Sequence, residues 1–281
     1  MLKIIISPAK KMNIAEEAPA VAGVPCFLNK TEVVKQYLKK QDYDTLKEIW
    51  KCNDKLAQLN AERVKDMDLK RQVTPAVFAY EGIQYQSMAP MVMEQSQLDY
   101  IEKHLYILSG FYGILRAFDG VVPYRLEMQA RIQMETDGKI VTSLYDFWGE
   151  QLYQVLAGEE DAVSVNAGDG NKTRDIDGGN VVIVNLASRE YAKAVLPWVS
   201  GRVKVVECVF GEMENQRVRV TATAAKMARG AMVRYMAENQ VESVEELKGF
   251  RLMGYEYREE LSDEKTLVFV QEPMKKYGID G

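Results

Sequence analysis

Lys3-Ile4-Ile5-Ile6-Ser7-Pro8-Ala9-Lys10 decides the reading of the fold. Its apolar run is continuous rather than alternating, the pattern of a buried strand, and Pro8 stops it because proline cannot donate to an interior ladder. Ser7 and Lys10 therefore stand just past the carboxyl end of a buried strand, where α/β proteins place ligands.

Outward from there, Thr31–Lys40 reads as a helix. Asp44–Met67 reads as a longer one, with Leu46, Ile49, Trp50, Leu56, Ala57 and Val64 on one stripe. Asn53 and Asn60 interrupt that stripe seven residues apart, and a polar group in an apolar face needs a partner, either backbone or ligand. Gln95–Leu108 carries Leu98, Ile101, Leu105 and Leu108 on one arc, begins with a capping-box-like Ser96 and Asp99, and stops at Ser109-Gly110. His104 lies beside that arc and reads as a core-edge residue, since no nearby motif offers it a catalytic partner. Gln129–Val141 reads as a hairpin around Thr136-Asp137-Gly138, and Ser143 caps a helix over Leu144–Leu156. A buried strand at Val181–Asn185, a helix at Ser188–Leu196, a hairpin of Val203–Phe210 with Arg217–Thr223, and a helix at Ala224–Asn239 follow. Arg251–Arg258 and Thr266–Gln271 make a last strand pair. Strands and helices alternate without strict βαβ order and no Pro/Gly/Ser-rich linker divides them. The expectation is an α/β (mixed α+β) fold in a single compact domain over residues 1–281.

Composition bounds the function. The 281 residues are 47% apolar and 27% charged, enough to build a core. No apolar run approaches the roughly 18 residues of a membrane helix, and Leu2–Ile6 is too short for a signal-peptide core. A soluble, cytoplasmic protein without a membrane partner is expected. Cys26, Cys52 and Cys208 have no paired spacing, and His104 is the single histidine, which argues against a zinc site, a disulfide framework or a histidine triad. No metal and no cofactor are expected. The alternating polar residues of Gly168–Asn180 have a calcium-loop rhythm, but Arg174 stands where glycine is required and Asn180 where glutamate is, so the segment reads as a solvated loop. The formal net charge of −5 disfavours nucleic acid over the whole surface. Locally, residues 202–234 hold seven Lys/Arg against three Glu, one basic stripe in an acidic background.

Three constellations carry chemistry. In Leu108-Ser-Gly110-Phe-Tyr-Gly113-Ile-Leu-Arg116, two glycines lie three apart between helical segments, and amides bared there would hold a phosphate. That is the layout of a helix–hairpin–helix contact to DNA phosphates; an ordinary corner with a glycine cap fits equally well. On the helix Ala224–Asn239, Lys226, Arg229 and Arg234 border Gly230, with no acid between Lys226 and Arg234. A side-chain-free spot ringed by cations admits an anion, and a solvated basic face or a close packing contact is the alternative. In Tyr124-Arg125-Leu126-Glu127-Met128, Arg125 and Glu127 share one side of an extended segment and can pair or share a ligand.

These segments together resemble the YaaA family of bacterial peroxide-stress proteins. The resemblance rests on Ser7-Pro-Ala-Lys10, Asp54-Lys-Leu-Ala57 with Asn60, Leu108-Ser-Gly-Phe-Tyr-Gly113, Tyr124-Arg-Leu-Glu-Met128, Leu144-Tyr-Asp-Phe-Trp-Gly149, Asn185-Leu-Ala-Ser188 with Glu190-Tyr191, and Lys226-Met-Ala-Arg-Gly230 with Arg234. They occur in family order along nearly the whole chain. The resemblance implies a single domain of unusual topology, with a helix–hairpin–helix element beside a basic cleft. It also implies double-stranded DNA binding and a role in limiting iron-driven oxidative damage. Ala117 replaces the usual Pro, Glu81 and Ile83 replace the usual Lys and Asp, and the 168–180 loop is longer than usual.

The leading expectation is a DNA-binding stress protein. Gly110 and Gly113 amides would hold one phosphate, while Arg116, Lys226, Arg229 and Arg234, around Gly230, would neutralise neighbours without reading bases. The alternative is an enzyme acting on a small anionic or nucleotide-like substrate. Arg125 and Arg229 would bind it, Lys10 or Glu127 would serve as acid or base, and Ser7 or Tyr145 would orient it. A direct iron scavenger ranks last, because only carboxylates are on offer as ligands.

Overall fold

Ile4, Ile5 and Ile6 lie fully buried in the middle of an eight-stranded sheet. A computed structural model describes residues 1–71, 73–136, 138–159, 181–201 and 203–271. The 168–180 loop and Arg202 lie outside the described residues. The strands are β1 (Leu2–Ile6), β2 (Leu105–Ser109), β3 (Gly113–Arg116), β4 (Val181–Leu186), β5 (Val203–Glu214), β6 (Arg217–Arg219), β7 (Tyr255–Tyr257) and β8 (Thr266–Gln271). Their order is β7-β8-β5-β4-β1-β2-β3, with β6 folded back on the end of β5. β2, β1, β4, β5 and β8 run parallel, and β3 and β7 close the edges antiparallel. This is the mixed α/β architecture expected from the sequence.

The helices are α1 (Leu28–Lys39), α2 (Tyr43–Trp50), α3 (Asp54–Asp66), α4 (Ala76–Ala79), α5 (Ile83–Met88), α6 (Gln95–His104), α7 (Leu144–Trp148), α8 (Gln151–Ala157), α9 (Arg189–Ala192), α10 (Ala222–Glu238) and α11 (Val244–Leu247). No described helix is long and apolar enough to cross a membrane. A separate hairpin pairs Arg131–Thr136 with Lys139–Ser143, as its turn residues indicate.

Several boundaries differ from the sequence reading. The Asp44–Met67 helix is two helices. Lys51 takes a left-handed conformation (φ 44°, ψ 56°), and the Asn53 side chain accepts from the Leu56 amide to cap α3. Asn60 donates to the Leu56 carbonyl, while its buried Oδ1 has no hydrogen-bond partner among the described residues. The Leu144–Leu156 helix breaks at Gly149, where φ is +55°.

The largest correction concerns Leu108–Arg116. Helix α6 ends at His104, and Leu105–Ser109 is a strand that pairs with β1, Ile4 opposite Leu105. The chain then turns into β3, with Ser109 opposite Gly113, so this segment is a β-hairpin and not a helix–hairpin–helix. The Leu105-Tyr-Ile-Leu run continues the helical spacing, but all of its residues are buried, and ladder pairing beside β1 overrides the local pattern.

Chain order reverses beside β1. β1 leads towards β2 on one side, while β4, far later in the chain, lies on the other. At such a switch point the connections leave in opposite directions and open a crevice at the carboxyl ends of the strands.

Candidate functional site

Ser7 and Ser188 stand on the two lips of that crevice. The Ser7 hydroxyl donates to Ser188 Oγ at 3.1 Å and accepts from the Ser188 amide at 2.8 Å. Tyr85 of α5 donates to the Ser7 carbonyl at 3.0 Å. The end of β1 is thus fixed to the end of β4 and to a helix.

The segment Tyr124–Met128 comes beside the loop that follows β1, where Glu127 meets Lys10. Its alternation is that of an extended chain: Tyr124, Leu126 and Met128 are buried, while Arg125 and Glu127 share the other side. Glu127 Oε1 lies 2.9 Å from Lys10 Nζ and 3.4 Å from Arg125 Nη2. Lys10 is 65% exposed, whereas Arg125 and Glu127 are 10% and 16% exposed. Arg125 Nε also donates to the Trp50 carbonyl at 3.3 Å, satisfying a carbonyl that the end of α2 leaves free.

A buried layer of tyrosines supports this segment. Tyr124 shares hydrogen bonds with Ser109 (2.6 Å) and Tyr80 (2.7 Å), and burial pushes its phenol up to about 12. Ser109 also accepts from the Phe111 and Tyr112 amides, which closes the β2–β3 turn. Gly110 makes room for the segment above it: a Cβ there would stand 2.7 Å from the Leu126 carbonyl oxygen. Its own carbonyl accepts from the Trp148 indole at 3.1 Å.

Beyond Glu127 lies Glu190, on α9. Its carboxylate accepts from the Gln129 amide at 3.2 Å, and Tyr145 donates to its main-chain carbonyl at 3.0 Å. Burial raises its pKa, and the Glu127 charge adds to the rise. Of the residues expected at a site, Lys10, Arg125 and Glu127 are in contact, Ser7 lies three residues before Lys10 and is bonded to Ser188, and Tyr145 reaches the main-chain carbonyl of Glu190. Glu190, quoted within a motif but given no role by sequence reasoning, joins them. Its sequence signal was its place in the first turn after the buried strand Val181–Leu186.

The residues expected to meet DNA do not form one surface. Gly110 and Gly113 are buried, and Gly113, at φ +77°, packs on Trp148 and Leu152. Arg116 is exposed on the edge strand β3, opposite Tyr106, which is itself level with Ile5 of β1. Gly230 is buried where α10 crosses α5, and a Cβ there would collide with the Gln84 carbonyl and the Met88 amide. It is the close packing contact rather than an anion spot. Arg229 is half-buried, its charge depressed by burial and favoured by Glu207. Arg234 pairs with Glu238 at 2.6 Å, and Lys226 is exposed.

His104 is a core residue. Its Nδ1 meets the Leu2 carbonyl at 2.8 Å, its ring stacks on Tyr100, and burial lowers its pKa. The three cysteines are free thiols. Among the described residues, no group of three or more His, Cys, Asp or Glu could hold a metal ion.

Fold and crevice define an α/β protein whose polar residues gather at a switch point. A family model described as peroxide stress protein YaaA matches residues 2–261. A UPF0246 protein of Lachnoclostridium phytofermentans is 48% identical over 270 residues, covering 96% of each chain. One from Pediococcus pentosaceus is 46% identical over 275 residues, covering 98% of this chain and 100% of its own. UPF0246 protein DSY0297 of Desulfitobacterium hafniense is 43% identical over 275 residues, with the same coverage. The chain belongs to the YaaA family of peroxide stress proteins.

Proposed function

We propose that the protein acts in the peroxide-stress response by binding, and chemically transforming, a small charged molecule in the crevice between β1 and β4. One observation carries this reading: Glu127 meets both Arg125 and Lys10, from the loop after β1, while Glu190, from the helix after β4, accepts from the Gln129 amide two residues beyond Glu127. Arg125 binds the ligand from a position held by the Trp50 carbonyl and Glu127. Glu127 is the base, kept in place by two cations, and Tyr145 orients the α9 end of the site. Amide NMR spectra recorded with panels of small carboxylates, phosphates and nucleotides test the reading. Shifts centred on Ser7, Ser188 and Glu127 are expected, and Arg125→Met should abolish them. Silence at those amides across every panel would sink the idea.

A second reading, duplex DNA binding, is favoured by the α2–α3 hairpin. Two helices meet there through a short turn with Lys51 in the left-handed region, and exposed Lys51 and Lys55 flank the start of α3. On this reading the α2–α3 pair, rather than Leu108–Arg116, would serve as the helix–hairpin–helix element. Asp44, Glu48 and Asp54 interleave with its lysines, and Lys47 pairs with Asp54 at 2.7 Å, so affinity should be modest and should fall steeply with salt. A flat response of duplex affinity to salt, or no binding at low salt, counts against it. On this reading the protein limits iron-driven damage by covering DNA. Tight stoichiometric Fe²⁺ binding by the purified protein would contradict that.

A further inference from the structure

Two groups of charges lie side by side at the site, with Glu127 and Lys10 both within electrostatic reach of Glu190. In one group, a single carboxylate oxygen, Glu127 Oε1, serves both Lys10 and Arg125, leaving one positive charge in excess. The Arg125 guanidinium has five N–H donors, and only Nε and Nη2 are engaged among the described residues. The other is Glu190, half-buried and without a cation in ion-pair contact among the described residues. The hydrogen bonds its carboxylate accepts come from main-chain amides and leave it further acceptor capacity. The groups around it are Glu127, Lys10, the Gln129 and Met128 amides, Tyr191, and Tyr145 on its own carbonyl, with Lys193 stacked over the Tyr145 ring at 4.8 Å.

We propose that the crevice selects an amino-acid-like zwitterion, its carboxylate held by Lys10 and Arg125 and its ammonium group held by Glu190. The proposal rests on the reading of the crevice as a ligand site and narrows it. A phosphate or other dianion brought to Arg125 meets two carboxylates, Glu127 and Glu190, with only two cations to offset them. A simple amine meets the excess positive charge beside Lys10. A molecule with one charge of each sign satisfies both groups, and its ammonium group supplies the direct ion pair that Lys10, acting on the half-buried Glu190 only at longer range, does not.

Calorimetric titration of the full-length protein tests this with three matched probe sets: the common amino acids, the carboxylic acid lacking each amine, and the amine lacking each carboxylate. Sodium sulfate serves as a dianion control. At least one amino acid should bind about tenfold or more tightly than its acid or its amine, the change expected from one hydrogen-bonded charge. Glu190→Gln should erase the preference for the amino acid over its acid while acid binding persists. An acid or sulfate bound as tightly as the amino acid by the wild-type protein, and displaced by Arg125→Met, overturns the zwitterion and spares the crevice. Survival of the preference in Glu190→Gln overturns the zwitterion in the same way. Absence of binding by every probe overturns both readings.

Discussion

Gly230 shows how one residue can carry two opposite readings. On sequence it is a bare spot among cations; in the fold it is where α10 touches the main chain of α5. The readings predict opposite signs for Gly230→Ala. On an open helix face, alanine would stabilise by about 1 kcal/mol. At this crossing the new methyl group should destabilise by about 1–3 kcal/mol, as overpacking does, measurable by urea unfolding. Asp119 offers a second test at the same scale. It is 3% exposed, and burial pushes its carboxyl up to about 6, opposed by the Arg116 amide and the Arg116 charge. An unfolded aspartate titrates near 3.9, so the native state holds this proton more tightly. Its contribution to stability is fully present below about pH 4 and is lost as pH rises through about 6. Asp119→Asn should flatten the stability profile across that window, and a variant that tracks the wild-type slope would refute the assignment.

At the scale of elements, the α2–α3 turn and the β2–β3 hairpin are the instructive cases. Lys51 holds a left-handed backbone that costs a non-glycine residue about 1–2 kcal/mol. Lys51→Gly should therefore leave stability unchanged or raised by about 1 kcal/mol in thermal melts, while lowering duplex affinity if the hairpin meets DNA. In the β2–β3 turn, Ser109→Ala removes the acceptor for two amides and the partner of Tyr124. A loss of about 1–3 kcal/mol is expected in chemical denaturation. Much of the element layer was legible in the chain. The unbroken Ile4–Ile6 run gave away the central strand, and the alternation at Tyr124–Met128 put Arg125 and Glu127 on one side. Leu105–Leu108 was not legible, because its leucine spacing suits a helix and only a neighbouring strand, distant in sequence, makes it a ladder. Gly230 escaped for a similar reason: the residues it packs against belong to a helix that its own pattern does not mention. Glu190 became a site residue only once the Tyr124–Met128 segment was seen to bring Glu127 and Gln129 beside it.

For the molecule as a whole, the net charge of −5 is compatible with a polar crevice, since Lys10 and Arg125 are balanced locally by Glu127 and Glu190. Of the cations counted in the basic stripe, Arg229 is half-buried on α10, Arg234 pairs with Glu238 and Arg219 pairs with Glu214, while Lys204, Arg217 and Lys226 are exposed. The bond between Ser7 and Ser188 joins positions 181 residues apart. Ribosomes add roughly 5–20 residues each second, so Ser7 leaves the tunnel many seconds before its partner exists. Until then the crevice has one lip, and β1 has an unpaired flank of isoleucines where β4 will dock. A nascent or truncated chain that stops short of β4 should thus be blind to any ligand and prone to association through that flank. On the proposed reading, ligand binding requires a chain synthesised past residue 190, because the register of β1 against β4 is what brings the two halves of the site together.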